Sequence, residues 1–157
     1  MRPNVGPFTQ PGWRKRLAVN TLPPFQSTYS GEIVADVNDF ALGAARYAGE
    51  VTGIWMSVQA SGKDDTNDLY VEGEVYINGT TCLTTKPKIA HVSGETSQAK
   101  TTIGGSDAGT VEAVIDTTAN TFAPGDVLSA DFLLERTASP TTEMKNPVIV
   151  VELEPIK

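Results

Sequence analysis

The chain has 157 residues, with 12 basic and 19 acidic side chains and one cysteine. Residues 1–30 hold four of the cations and no acid, so residues 31–157 keep eight cations against 19 acids, a net charge of −11. This balance makes duplex nucleic acid a poor partner for the body, since affinity for phosphate comes mostly from basic side chains, and a lone Cys82 excludes a disulfide-stapled domain.

Residues 1–30 are predicted to form an extended, proline-rich arm. Five prolines in this segment fix φ and remove backbone donors, which favours extended or turn conformations over helix or central strand. Bulky apolar side chains are interleaved with the cations, a pattern that fits a strap filling pockets on an acidic protein partner. The alternative is a disordered terminus without specific contacts. The candidate binding residues of the arm are Arg2, Phe8, Trp13, Arg14, Lys15, Arg16, Leu17 and Phe25.

The arm contains no recognisable targeting or membrane segment. Only three apolar residues, 17–19, follow the basic cluster before Asn20, too few for a signal-peptide core or a membrane span. We therefore expect a soluble protein, made in a cytoplasm, with no membrane partner. The remaining residues, 31–157, are numerous enough for one domain with its own core.

From Glu32 onward, apolar residues recur with a period near two, which predicts half-buried strands at 33–37, 54–58 and 69–77. Asn78-Gly79 then predicts a type I′ hairpin into residues 80–83, because that turn needs positive φ at both central positions. Further strands are predicted at 88–92, 110–115, 127–135 and 147–153, and only residues 39–47 could pass for a short helix. Such spacing predicts an all-β fold, an antiparallel β-sandwich of jelly-roll-like type.

Candidates for catalysis are few, and each has a structural alternative. His91 is the only histidine, and no neighbouring nucleophile or orienting partner supports a catalytic base. Cys82 lies in a predicted strand, where a small buried hydrophobe is the simpler interpretation. Glu72 and Glu74 share a strand face, as paired catalytic carboxylates do, but an ordinary exposed face has the same spacing. We expect no enzymatic activity and no cofactor.

Three polar motifs are weaker signals. Residues 64–68 (Asp-Asp-Thr-Asn-Asp) offer oxygen ligands suited to calcium, but they lack EF-hand spacing and are typical of turns. Asn78-Gly79-Thr80 fits a glycosylation sequon and is interpreted as a turn. Glycine-rich residues 104–109 do not follow a strand and open a helix, so they predict a flexible loop and not a phosphate site. Residues 93–109 and 137–146 form long polar connections.

Three stretches carry a family resemblance. They are residues 47–55 (Tyr-Ala-Gly-Glu-Val-Thr-Gly-Ile-Trp), residues 120–128 (Asn-Thr-Phe-Ala-Pro-Gly-Asp-Val-Leu) and residues 147–154 (Pro-Val-Ile-Val-Val-Glu-Leu-Glu). Together they resemble the jelly-roll capsid decoration, or cement, proteins of tailed bacteriophages, over roughly residues 31–155. The resemblance implies trimers on the capsid exterior that fasten neighbouring major capsid protein subunits, and it implies no catalytic residues.

We therefore expect a decoration protein of the virion surface, made in the host cytoplasm, whose partners are the major capsid protein and itself as a homotrimer. The arm would be the capsid-binding strap. The alternative is a receptor- or glycan-binding module of a tail fibre, with residues 93–109 and the rings of Trp55, Tyr70 and Tyr76 as its contact surface. A hydrolase is a third class, which the missing catalytic constellation disfavours.

Overall fold

The structure, a computed structural model, describes residues 22–64, 68–95, 98–136 and 140–156. These residues form fifteen strands and one 3₁₀ turn, Ile103–Gly105, with no α-helix among them. No helix in this part of the chain is long and apolar enough to cross a membrane. In chain order the strands are β1 (Leu22–Thr28), β2 (Glu32–Ile33), β3 (Val37–Ala44), β4 (Gly49–Val58), β5 (Tyr70–Ile77), β6 (Thr80–Thr81), β7 (Leu83–Thr85), β8 (Lys88–Ala90), β9 (Lys100–Thr101), β10 (Thr110–Val111), β11 (Val114–Ile115), β12 (Thr121–Phe122), β13 (Val127–Glu135), β14 (Met144–Lys145) and β15 (Val148–Pro155).

Two antiparallel sheets make up the body. The first has the order β1-β15-β4-β12, with β9 added to β4, and the second has the order β10-β8-β5-β13-β3, with β6 added to β5. The short strands β7 and β11 pair with each other, as do β2 and β14. The longest ladders join β15 to β4 and β13 to β5. The predicted all-β antiparallel sandwich is confirmed.

The core lies between the two sheets, as the alternating pattern predicted. Val71 and Val75 on β5 are fully buried, as is Met56 on β4. Gly73, also on β5, lets the sheets approach closely, because a Cβ there would lie 2.5 Å from Met56 Sδ and 2.9 Å from Ile149 Cδ1. The alternate side chains of each strand therefore point to the two outer faces of the sandwich.

The predicted hairpin is present. Asn78 and Gly79 have φ values of 50° and 80°, and Ile77 pairs with Thr80 across the turn. Positive φ at both central positions is what a type I′ turn requires, so the Asn-Gly prediction is confirmed.

The possible helix over residues 39–47 is wrong, because residues 37–44 form the edge strand β3 of the second sheet. Its pairing with β13 is irregular, with register shifts and a positive φ of 56° at Asp39. Gly43 has φ 148°, and a Cβ there would lie 2.8 Å from the Phe25 ring. Pairing with a distant strand and close ring packing here override the local helical tendency.

The body begins earlier than the sequence predicted. Residues 22–28, assigned to the arm, form β1 at the edge of the first sheet, next to β15. Leu22 pairs with Leu153, and the register then shifts before Phe25 pairs with Val151. Pro23 and Pro24 lie within this irregularity, where missing amide donors cost no ladder bond. The rest of the predicted arm, residues 1–21, lies outside the described residues.

Candidate functional site

An apolar groove of about 420 Å³ lies where β1 begins. We call it the arm-root groove, and it is lined by Leu22, Pro23, Phe25, residues 44–47, Phe122 and Leu153. Phe122 and Leu153 are buried and form its floor, whereas the Tyr47 ring is 64% exposed at its rim. The groove is open and built from four separate segments of the chain.

The three stretches that carry the family resemblance meet beside this groove. They lie in β4, in β12 with its turn into β13, and in β15. Phe122 on β12 pairs with Gly49, and Glu154 on β15 pairs with Glu50. The stretches on β12 and β15 therefore both border the start of β4. A Cβ on Gly49 would lie 2.6 Å from both the Glu154 carbonyl oxygen and Phe122 Cζ. Glycine at this position is therefore a packing requirement of the corner.

The turn that precedes β4 is fixed to the same corner by backbone hydrogen bonds. The Ala45 amide donates to the Asp126 carbonyl oxygen at 2.8 Å, and the Gly125 amide donates back to the Ala45 carbonyl oxygen at 2.8 Å. The Asp126 carboxylate accepts from the Ala123 amide at 2.7 Å, and this bond lowers the pKa of that carboxyl. Residues far apart in sequence thus hold Tyr47 and Arg46 at the rim of the groove.

A row of three carboxylates lies next to the groove on the outer face of the first sheet. Glu50 and Glu154 are directly opposite on β4 and β15, and Glu152 lies on the same side of β15. Glu152 and Glu154 line a second depression of about 230 Å³, which shares Leu22 and Leu153 with the arm-root groove. None of the three carboxylates forms an ion pair within residues 22–64, 68–95, 98–136 and 140–156. We call Glu50, Glu152 and Glu154 the acidic row.

The predicted arm residues fall into two groups. Seven lie outside the described residues: Arg2, Phe8, Trp13, Arg14, Lys15, Arg16 and Leu17. The eighth, Phe25, belongs to β1 and packs against the hydrophobic core and Gly43. Its ring is therefore part of the body and forms one wall of the arm-root groove.

His91 belongs to a buried polar network centred on Glu95. The Glu95 carboxylate accepts hydrogen bonds from Ser61 Oγ and from the Val92 amide, contacts His91 Nδ1 at 3.0 Å, and pairs with Lys100. Burial raises the pKa of Glu95, but the hydrogen bonds from Lys100, Ser61 and His91 outweigh it, so the pKa is lowered overall. The Glu95 carboxylate lies between the Ser61 hydroxyl and the His91 imidazole. In a catalytic triad the imidazole contacts the serine directly, so this arrangement holds the three side chains in place and does not activate Ser61.

Lys100 extends this network into the long connection after β8. Its ammonium group donates to the carbonyl oxygens of Ala90 at 2.6 Å and Ala108 at 2.9 Å. The Ser61 amide donates to the Gln98 carbonyl oxygen at 2.8 Å. The described parts of residues 93–109 are thereby tied to β8 and β9, a role of Glu95 and Lys100 that no sequence pattern indicates.

Cys82 is fully buried, and its thiol lies 3.5 Å from the Val75 carbonyl oxygen. Burial raises the pKa of this thiol to about 12. Since the thiolate is the nucleophilic form, Cys82 is held in its unreactive state.

Glu72 and Glu74 are both on the outer side of β5, but they differ in surroundings. Glu74 is buried, accepts a hydrogen bond from Thr81 Oγ1 and pairs with Lys86 Nζ at 2.7 Å. The hydrogen bond to Glu74 raises the pKa of Lys86. The strand opposite places Asp131 beside Glu74. The Glu74 and Asp131 carboxylates are therefore occupied by neighbouring donors on the outer face of the sheet.

The calcium candidate, residues 64–68, is only partly described, because residues 65–67 lie outside the described ranges. Asp64 is 3% exposed, so its side chain is buried. Among the described residues, no group of three or more His, Cys, Asp or Glu side chains could hold a metal ion.

The aromatic surface of the tail-fibre alternative is divided by the fold. Tyr70 and Tyr76 lie on the outer face of the second sheet, where Tyr76 Oη donates to Asp131 at 3.0 Å. Trp55 lies on β4 between the buried Ile54 and Met56, on the outer face of the first sheet. The three rings are therefore on opposite sides of the sandwich and do not share one surface.

Comparisons with protein-family models, with curated proteins and with solved structures found no match.

Proposed function

We propose that this chain is a non-enzymatic capsid decoration protein of a tailed bacteriophage, which binds the outer surface of the capsid and stabilises contacts between major capsid protein subunits. The observation that carries the proposal is the convergence of the three resembling stretches on one corner, around Gly49 and Phe122, at the root of the arm. Unrelated short matches would have no reason to meet at one place.

The charge distribution supports the same role. Residues 1–30 carry four cations and no acid, and residues 31–157 carry a net charge of −11. A basic strap can bind an acidic capsid surface while the acidic body stays in solvent, since the body would be repelled by that surface.

Stabilisation follows from where the protein binds. A strap that crosses the joint between two capsid subunits makes all of its contacts only on the assembled shell. Binding therefore lowers the free energy of the assembled state by mass action, without any chemical step. Three straps on a homotrimer would add avidity at a three-fold position.

The test is binding to undecorated capsids of the phage that encodes the chain. Deleting residues 1–20 leaves β1 intact, so the truncated protein should keep its circular dichroism spectrum and lose most of its co-sedimentation with capsids. Replacing Arg14, Lys15 and Arg16 by Ala should weaken binding most at low salt, because exposed charge pairs are screened at high salt.

A matched control removes the same charge from the body. Lys63→Ala, Lys88→Ala and Lys145→Ala together remove the same three positive charges from the body, and capsid binding should change little. Cys82→Ser should also leave occupancy unchanged once folded. Unchanged affinity of the protein lacking residues 1–20 would rule out the arm as the attachment element.

A further inference from the structure

The arm-root groove lies at the point where the arm joins the body. Leu22 is the first described residue, and it lies in the wall of the groove. Within the described residues nothing covers the groove, and the Tyr47 ring at its rim is 64% exposed. A volume of about 420 Å³ is within the roughly 300–1,000 Å³ range of pockets that bury an organic group. It can accept one or two bulky apolar side chains.

The sequence before Leu22 supplies such side chains within reach. Leu17 precedes Leu22 by five residues and Trp13 by nine, which allows reaches of roughly 17 Å and 30 Å for an extended chain. Both distances are long enough for the chain to turn back over the end of the sheet. The arm therefore brings two apolar groups to an apolar groove that starts at its own root.

Charge complementarity points to the same segment. Arg14, Lys15 and Arg16 lie between Trp13 and Leu17, and the acidic row lies beside the groove. Glu50 and Glu154 are directly opposite on neighbouring strands, where like charges destabilise the pair. A basic segment laid across these carboxylates would relieve that repulsion.

We propose that residues 13–17 (Trp-Arg-Lys-Arg-Leu) dock on the body of their own chain, with Trp13 and Leu17 in the arm-root groove and the cations between them on the acidic row. A short tether gives the segment an effective concentration in the millimolar range. At micromolar protein concentration this favours the segment's own groove over that of a second copy.

The docking belongs to the free protein and does not depend on a role in capsid binding. Its consequence for the proposed function is competition, because one segment cannot fill the groove and a capsid pocket at the same time. A variant with a blocked groove should then bind capsids at least as well as the wild type. Failure of docking and failure of capsid attachment are therefore distinguishable.

Tryptophan fluorescence tests the docking directly. The chain has two tryptophans, so Trp55→Phe leaves Trp13 as the only reporter. Trp13 should be shielded from acrylamide relative to a peptide of residues 1–21. Ala44→Arg places a long cation in the groove at an exposed position of β3 and should abolish the shielding. Ala41→Arg makes the same change at another exposed position of the same strand and should leave it intact.

Raised salt and charge variants test the proposed contact between the cations of residues 14–16 and the acidic row. Replacing Glu50, Glu152 and Glu154 by Gln should reduce the shielding of Trp13, as should raised salt. Glu112→Gln, at an exposed site in a connecting segment, is the control. If Trp13 is as accessible in the full chain as in the peptide, or if Ala41→Arg and Ala44→Arg act alike, the proposal is overturned.

Disulfide trapping separates docking in one chain from exchange between chains. Gln10→Cys with Ala44→Cys should form a disulfide that keeps the monomer mass on a non-reducing gel, while Gln10→Cys with Ala41→Cys should form it much less. The buried Cys82 does not compete. Products of twice the monomer mass would instead assign the groove to the arm of a second copy and refute docking within one chain.

Discussion

At the scale of single residues, Glu95 is the most consequential side chain that the sequence did not indicate. It joins Ser61, His91 and Lys100 into one buried network, and removing one partner of such a network leaves the others unsatisfied. The sequence favoured a structural role for His91, but a single histidine in a strand pattern does not show what it contacts. Its partner lies four residues later in a polar connection that carries no periodicity.

The network makes stability depend on pH. The pKa of Glu95 is lower in the folded state than its ordinary value, despite the opposing effect of burial. The unfolded chain therefore binds the proton more readily, so the stabilisation is complete above the unfolded pKa, about 4.3, and is lost as the pH falls through the lower folded pKa.

We expect Glu95→Gln to lower the free energy of unfolding at pH 7 by about 1–3 kcal/mol. The difference from the wild type should shrink as the pH falls below the unfolded pKa of about 4.3 and through the lower folded pKa, because the wild-type carboxylate is then protonated too. Urea denaturation over a pH series measures both quantities. Glu112→Gln, which changes an exposed carboxylate, should show no such convergence. Parallel curves for Glu95→Gln and wild type would contradict the assignment.

At the scale of elements, the sequence predicted best those strands whose signal is local. β13 has the predicted bounds, 127–135, and β5 with its Asn78-Gly79 turn is correct to within a residue. Buried apolar side chains recur at every second position along much of each strand, because one side of the strand faces the core. The arm-root groove could not be predicted in this way, because it joins Leu22, Phe122 and Leu153 from distant parts of the chain.

β1 shows the limit most clearly. Pro23 and Pro24 argue against a strand, and the partners that make one possible, Val151 and Leu153, lie near the other end of the chain. Prolines are tolerated because β1 is an edge strand with an irregular register at that point. The local sequence therefore predicted that the arm ends after β1, at residue 30. The pairing of β1 in the sheet shows that the body begins with β1, at Leu22.

Truncation tests this boundary. A chain that starts at residue 21 should unfold at nearly the same temperature as the full chain, apart from any gain from arm docking. A chain that starts at residue 29 loses β1, and with it the Phe25 ring that packs on Gly43. Truncating a well-packed ring costs about 3 kcal/mol, and the open edge of β15 favours aggregation. Thermal unfolding by circular dichroism gives the comparison, and equal midpoints for the two truncations would show that β1 adds nothing.

At the scale of the whole molecule, the sandwich has open edges and a strong negative charge. β1 and β3 are edge strands of the two sheets, and natural proteins usually protect such edges by charge, irregularity or a partner. β3 is protected in part by its bulged register and the positive φ at Asp39. A cyclic assembly could cover edges while presenting several arms in the same direction.

We expect the free protein to be a homotrimer, so static light scattering should give about three times the chain mass of 16.7 kDa. Three bodies of like charge repel one another, so the trimer should persist or strengthen as salt is raised. Docking of residues 13–17 should weaken over the same range, which separates the two contacts. A protein lacking residues 1–20 should keep the trimer mass if the body forms the interface. Two results together would contradict the trimer. They are a monomer mass at every concentration, and electron microscopy of decorated particles that shows isolated copies instead of groups of three around a three-fold axis.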